Sequence, residues 1–401
     1  MKFCDVTLAY NEHSGGIRTY IDQKRRFLAE STQHTHLLIV PGAEDRVRED
    51  AHGTIVEIDS PRFPGQQDYR FFINPRSIRK ALDAHAPDIV ELGSYYISPW
   101  AAFSYRKHRH RAGERCLVGG FFHTDVADAY VGAPLRALAH DWIDEISDTL
   151  GHMVEKLADT AEKGAERYMR NVFEHCDLRF ASTPAQAERL RDYGVEGVRI
   201  VPLGVDLELF RPDKADPAVR ARTGAGPATM VLVYAGRLGT EKQVPKLIEA
   251  YAQLPEGFDA QLWMVGEGPL HDEIAQLAGA HPGVHLLPYE TDRERFAALL
   301  ASADIYVTAG PHETFGLAVI EAQAAGLPVV GVAGGALRER VPEGLGYLAP
   351  VGDAAAMAAG IVRVAAEREQ IAQRARAHVE RNFAWTRTFT ELLADYEEAA
   401  R

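Results

Sequence analysis

Cysteine is scarce in this chain: Cys4, Cys116 and Cys176 are scattered over 401 residues. An odd, dispersed set without metal-ligand spacing suits neither a disulfide framework nor a zinc site, and reads as reduced thiols of a cytoplasmic protein. No apolar run reaches membrane-spanning length, and no signal peptide precedes the first strand. A membrane role is therefore expected only as peripheral contact, at the cytoplasmic or inner face. Basic excess is missing too: 44 Lys and Arg stand against 57 Asp and Glu, a net charge of −13. That balance argues against nucleic acid as the main partner. The first strand is not followed by G-x-G-x-x-G, which weakens a dinucleotide-dehydrogenase reading. There is no Asp-x-Asp element, and His34/His36 and His108/His110 have no convergent acids in the sequence, so no metal site is expected.

What is present is an alternation of apolar runs and amphipathic stretches, the pattern of α/β layers with parallel sheets. The first half reads as strands near Lys2–Ala9, Thr35–Val40, Thr54–Ile58, Asp88–Leu92, Arg115–Phe122, Leu178–Ser182 and Val198–Val201, with helices such as Ile17–Ala29 and Ile78–His85. The pattern restarts at Met230–Gly236 and continues through Ala260–Val265, Val284–Leu287, Asp304–Thr308 and Pro328–Val332. Between the halves lies Leu203–Pro212 and a polar, Ala/Gly/Pro-rich stretch to Ala228 that suits a linker. Three parts are expected: residues 1–205, residues 206–384, and a final helix over 385–401 packing back on the first. Residues 135–168 carry Leu138, Trp142, Ile146, Leu150, Met153 and Leu157 at helical spacing, opposite an acidic face. They predict a long helix or helix pair on the first domain.

The densest chemistry lies in Pro311-His-Glu-Thr-Phe-Gly-Leu-Ala-Val-Ile-Glu321. Glu313 follows a strand, Glu321 sits inside the next helix, and Phe315, Gly316 and Leu317 open that helix with backbone N–H groups free for an anion. One acid for a sugar, one for a ribose and a phosphate between them outline a nucleotide-sugar site. Arg237 and Lys242 follow the first strand of the second half, where ligands of open α/β sheets gather. A guanidinium fork and an ammonium suit a diphosphate. In the first half, Gly15 and Gly16 after the first strand allow a close backbone approach to a distal phosphate. His123 ends an apolar strand facing a cleft. Asp125 contacts an acceptor hydroxyl, orients His123, or caps a turn. The run Arg106–Arg111 closes a helix begun at Pro99-Trp100, where cations suit the dipole; an anionic membrane or acceptor is its second reading.

Together these residues resemble retaining glycosyltransferase family 4, with the GT-B architecture of two facing Rossmann-like domains. The similarity is carried by Glu313-x7-Glu321, Gly236-Arg-Leu…Glu-Lys242, Val265-Gly-Glu-Gly-Pro-Leu270, Gly15-Gly16, His123 and Val201-Pro-Leu-Gly-Val-Asp206. The resemblance implies that Arg237 and Lys242 hold the donor diphosphate, Glu321 the ribose hydroxyls and Glu313 the hydroxyls of the transferred sugar. It further implies backbone contacts from Phe315, Gly316 and Leu317, a phosphate contact from Gly16, His123 beside the donor sugar, and the nucleobase near Tyr289.

The resulting expectation is transfer of a hexose from a nucleoside-diphosphate sugar to a glycan or lipid acceptor. GDP-mannose is favoured over a UDP-sugar by the His123-Thr-Asp stretch, which looks like mannosyltransferase and glycolipid-forming members. Beyond the donor substrate no cofactor is expected. Arg237, Lys242 and the helix start would stabilise the leaving diphosphate in place of a metal. An epimerase or hydrolase on the same scaffold, or a sensor that binds without turnover, remains open at this level, as does the oligomeric state.

Overall fold

The computed structural model describes residues 1–11, 15–63, 66–123 and 148–401. Asp125 and the first part of the 135–168 segment lie outside the described residues. The chain divides into two compact units, Met1–Pro202 with Phe389–Arg401, and Leu203–Thr388.

The first unit is built on an eight-stranded sheet in the order β10-β9-β8-β7-β1-β2-β4-β3. Its strands are β1 (Lys2–Val6), β2 (Thr35–Gly42), β3 (Arg46–Asp50), β4 (Gly53–Asp59), β7 (Ile89–Leu92), β8 (Leu117–Phe122), β9 (Leu178–Ala181) and β10 (Val198–Ile200). All pairings are parallel except β3 on β4. A short hairpin, β5 (Arg62–Phe63) and β6 (Gln66–Arg70), stands apart. Central strands such as β7 are buried throughout, hence their mostly apolar sequences, with Glu91 the charged exception in β7. β3 is different: Arg-Val-Arg-Glu-Asp is exposed along its length and charges the sheet edge against further pairing. No apolar run announces it, and the sequence reading missed it.

A charged cluster is buried in this unit. Lys24, on the helix Gly15–Ser31, places its ammonium 3.1 Å from both Asp5 of β1 and Glu91 of β7. Tyr20 donates to Glu91 Oε1 at 2.8 Å and Tyr396 to Glu91 Oε2 at 2.9 Å. His36 Nε2 meets Asp5 Oδ2 at 2.6 Å, and His34 Nε2 lies 3.2 Å from Glu397. Two of the four histidines without acid partners in the sequence, His34 and His36, therefore acquire them from distant segments. No group of three or more metal-ligating side chains forms among the described residues.

The second unit holds a six-stranded, wholly parallel sheet, β13-β12-β11-β14-β15-β16. These are β11 (Met230–Ala235), β12 (Ala260–Val265), β13 (Val284–Leu287), β14 (Ile305–Val307), β15 (Val329–Val332) and β16 (Gly346–Ala349). Chain order runs outward from β11 to β13, then returns to pair β14 against β11. The carboxyl ends of β11 and β14 therefore border a switch point, where open sheets leave a crevice. The first sheet reverses in the same way between β1 and β7. The last helix, Trp385–Ala399, leaves the second unit and buries Phe389, Leu392 and Tyr396 in the first. Both units are Rossmann-like, the α/β architecture expected. Among the described residues no helix is long and apolar enough to cross a membrane.

Candidate functional site

At the switch point of the second unit one predicted acid and one predicted cation meet, Glu313 and Lys242. After β11 the chain turns through Gly236-Arg237-Leu238, fixed from the side by the loop after β12. Leu238 N–H donates to Glu267 O and Leu270 N–H to Leu238 O, both at 2.9 Å. A Cβ on Gly266 would lie 1.9 Å from Gly236 O, so only glycine lets these two loops close. The turn leaves the Arg237 side chain exposed while its carbonyl accepts from Tyr234 Oη at 2.8 Å. A short 3-10 turn, Thr240–Lys242, then aims Lys242 at the neighbouring loop.

That neighbour is the segment after β14. Lys242 Nζ lies 2.8 Å from Glu313 Oε2, and Gly316 N–H donates to Glu313 Oε1 at 3.1 Å. Glu313 is thus held at both oxygens, a quarter exposed like Lys242. Gly316 is the N-cap of the helix Leu317–Ala324, with φ +86°, a conformation glycine reaches without a Cβ penalty. The Gly316 N–H expected to be free is engaged by Glu313. Leu317 and Ala318 remain as the helix-start N–H groups with no carbonyl one turn back in the helix. Phe315 is buried, so only its backbone is available, and its carbonyl accepts from Arg340 Nε at 2.8 Å.

Glu321 lies one turn into the same helix and is 7% exposed. Its Oε1 is 2.5 Å from Nη2 of Arg293, at the start of the helix Arg293–Ala301. Burial raises the Glu321 carboxyl above the ordinary range, and Arg293 opposes the rise. Arg340 is nearly enclosed, its guanidinium 4.1 Å from the Phe315 ring centre and 4.7 Å from that of Phe383. Burial brings its pKa down to about 10, with Glu339 and Glu313 opposing, so it stays a cation at neutral pH. Neither arginine stands in a motif that marks it in the sequence. Arg293 did leave a trace: a cation in the first turn of a helix faces the wrong end of its dipole and needs a local acid. Tyr289, after β13, is 43% exposed.

Gly15, Gly16 and His123 belong to the first unit. Gly15 has φ +51° and opens its helix with Gly16 next to the switch point after β1. His123 follows β8 and stacks on Phe121, ring centres 4.3 Å apart and 6° from parallel. A second ring near it is that of Tyr20, at 4.9 Å. Burial drives the His123 pKa down to about 3; the smaller effects of Asp5 and Lys24 oppose one another. The imidazole is therefore neutral near pH 7, able to exchange hydrogen bonds but not to act as a cation.

Two family descriptions match the sequence: residues 14–209 fit "Glycosyltransferase Family 4" and residues 229–367 fit "Glycosyl transferases group 1". The chain is 30% identical to a GDP-mannose-dependent alpha-(1-6)-phosphatidylinositol dimannoside mannosyltransferase of Mycobacterium tuberculosis, over 98% of this chain and 95% of that one. It is 29% identical to a GDP-mannose-dependent alpha-mannosyltransferase of Corynebacterium glutamicum, over 79% of this chain and 68% of that one. Among solved structures, the sucrose-phosphate synthase of Thermosynechococcus elongatus has the same fold at TM-score 0.75. It is 20% identical, with 99% of this chain and 98% of that one covered.

Proposed function

This chain belongs to glycosyltransferase family 4, and from that premise we propose that it transfers mannose from GDP-mannose to a hydroxyl of an inositol-based glycolipid, retaining the α configuration. The observation that carries this reading is the end-to-end similarity to the mycobacterial mannosyltransferase. The acid and cation cluster at the β11/β14 switch point agrees with it. In the proposed reaction the bond from the mannose anomeric carbon to the diphosphate oxygen breaks and a bond to the acceptor oxygen forms. The acceptor's proton passes to the leaving phosphate. Arg237, Lys242 and the N–H groups of Leu317 and Ala318 meet the growing negative charge.

Glu321 takes the ribose hydroxyls and Glu313 the mannose hydroxyls, steadied by Lys242 and the Gly316 N–H. Attack from the leaving-group side needs positioning and charge stabilisation rather than a carboxylate nucleophile. Tyr289 serves the base. Turnover requires no divalent ion in this scheme, and a chelator leaves the rate unchanged.

A lipid acceptor needs access to a bilayer surface. The helix Ser98–Arg111 offers one, with Trp100, Lys107, His108 and Arg111 exposed. Arg106 and Arg109 in the same run are neutralised by Asp177 and Glu114. Lys107 and Arg111 flank a groove with Phe103, His110 and His175. Cations with an exposed tryptophan suit the anionic headgroup layer. The test is incubation with GDP-mannose or UDP-glucose, using phosphatidylinositol dimannoside in anionic vesicles. Product mass and the one-bond carbon–proton coupling at the anomeric centre are then read. A mannosylated α-linked product from GDP-mannose alone is expected, and Lys107→Glu/Arg111→Glu lowers the rate on vesicles but not on a short-chain soluble acceptor. Donor hydrolysis without transfer across a panel of acceptors would sink the reading.

A further inference from the structure

The ion pair between Arg293 and Glu321 has no role in the scheme above, yet its construction is specific. Glu321 is almost enclosed, and among the described residues Arg293 is the hydrogen-bond partner recorded for its carboxylate. Arg293 approaches one oxygen only, Oε1 at 2.5 Å. The guanidinium is itself seated: its central carbon lies 4.9 Å from the ring centre of Phe210 and 5.4 Å from that of Phe296. Phe210 is 1% exposed and Phe296 9%, so both are fixed parts of the core. The helix carrying Arg293 is capped by Asp292, which accepts from the N–H groups of Glu294 and Arg295 at 2.9 and 3.1 Å. A long, flexible side chain is thus held by a capped helix start, two aromatic faces and a carboxylate.

From this geometry we infer that Arg293 is a positioning residue for the nucleoside half of the donor. It holds Glu321 ionised and turned so that Oε2 accepts from the ribose 2′- and 3′-hydroxyls, and so makes the enzyme select ribonucleotide over 2′-deoxyribonucleotide donors. The inference rests on the proposed ribose role of Glu321. Its physical basis is that a carboxylate leaving water needs a charged donor at one oxygen to remain an acceptor at the other. Burial alone favours the protonated acid, which donates through one oxygen and loses its preference for a vicinal diol. Among the described residues, Arg293 from its helix bonds Glu321, and Tyr306 of β14 is near enough to feel its charge. The phenol of Tyr306 is itself buried and stays protonated, so Arg293 is the group that sets the charge.

The experiment compares the full-length enzyme with Arg293→Gln, Arg293→Lys and Glu321→Gln. Steady-state kinetics use GDP-mannose and its 2′-deoxyguanosine analogue between pH 5.5 and 8.5, and melting temperatures check folding. Arg293→Gln should raise the KM for GDP-mannose roughly tenfold, the scale of one hydrogen bond to a charged group. It should leave kcat within about twofold and narrow the ribo/deoxy preference by a similar factor. Its KM should worsen further as pH falls, since without Arg293 nothing opposes the rise that burial causes and the acid protonates more readily. Arg293→Lys keeps a charge at the site and should recover much of the loss.

A merely structural ion pair would lower the melting temperature while leaving the ribo/deoxy ratio and the pH profile of KM unchanged. That result in Arg293→Gln, with Glu321→Gln still narrowing the preference, would overturn the role of Arg293 alone. If Glu321→Gln leaves the preference intact, the ribose reading of Glu321 falls and takes this inference with it.

Discussion

His123 is kept neutral by burial against Phe121 and Tyr20, and that state has a measurable consequence. Its pKa falls from 6.5 to about 3 on folding. The unfolded chain therefore binds more protons between those two values. The stability it confers is fully present above about pH 6.5 and is lost as pH falls toward 3, at up to about 1.4 kcal/mol per pH unit. Replacing His123 by Asn removes that dependence. Thermal unfolding of the two proteins at pH 7 and pH 5 should show the wild type's advantage shrinking at the lower pH; a constant difference would mean that His123 titrates normally. Most candidate residues are legible in the sequence because they stand beside a strand end or a glycine turn; Glu321, inside a helix, is marked by its spacing from Glu313. Arg293 and Arg340 are not legible, since what marks them is a partner 28 positions away and a pair of aromatic faces, neither of which is local.

At the scale of elements, strands with an apolar run in the sequence are legible even where, as in β10 and β13, the structure buries little of them, whereas β3 and β16 are not. β3 is charged and exposed, and β16 is only four residues with one fully buried position, so neither carries a hydrophobic pattern. The polar links between elements were equally hidden. Glu91 on β7 receives Tyr20 and Lys24 from the first helix and Tyr396 from the last one, which joins three segments far apart in the chain. The Tyr396 hydroxyl also lies over Gly119 of β8, where a Cβ would come within 1.9 Å of it. Tyr396→Phe removes one donor from a buried carboxylate whose pKa is already raised by burial. A loss of about 1–3 kcal/mol in unfolding free energy is expected. Urea denaturation measures it, and an unchanged midpoint would show that the last helix is held by its apolar face alone.

For the whole molecule, the alternation of strands and helices was enough to foresee two parallel-sheet units. It could not supply strand order, and strand order turns scattered motifs into a site. Only because β14 returns to pair with β11 do Lys242 and Glu313, 71 residues apart, come within 2.8 Å. In the proposed donor site the exposed Arg237, on the loop after β11, offers a guanidinium fork to the diphosphate. Isothermal titration of GDP-mannose into the wild type and Arg237→Ala tests this most directly. The affinity of the variant should fall by roughly tenfold to a hundredfold, as for a lost charge-assisted contact to phosphate. Equal affinities in two equally folded proteins would contradict the proposed donor site.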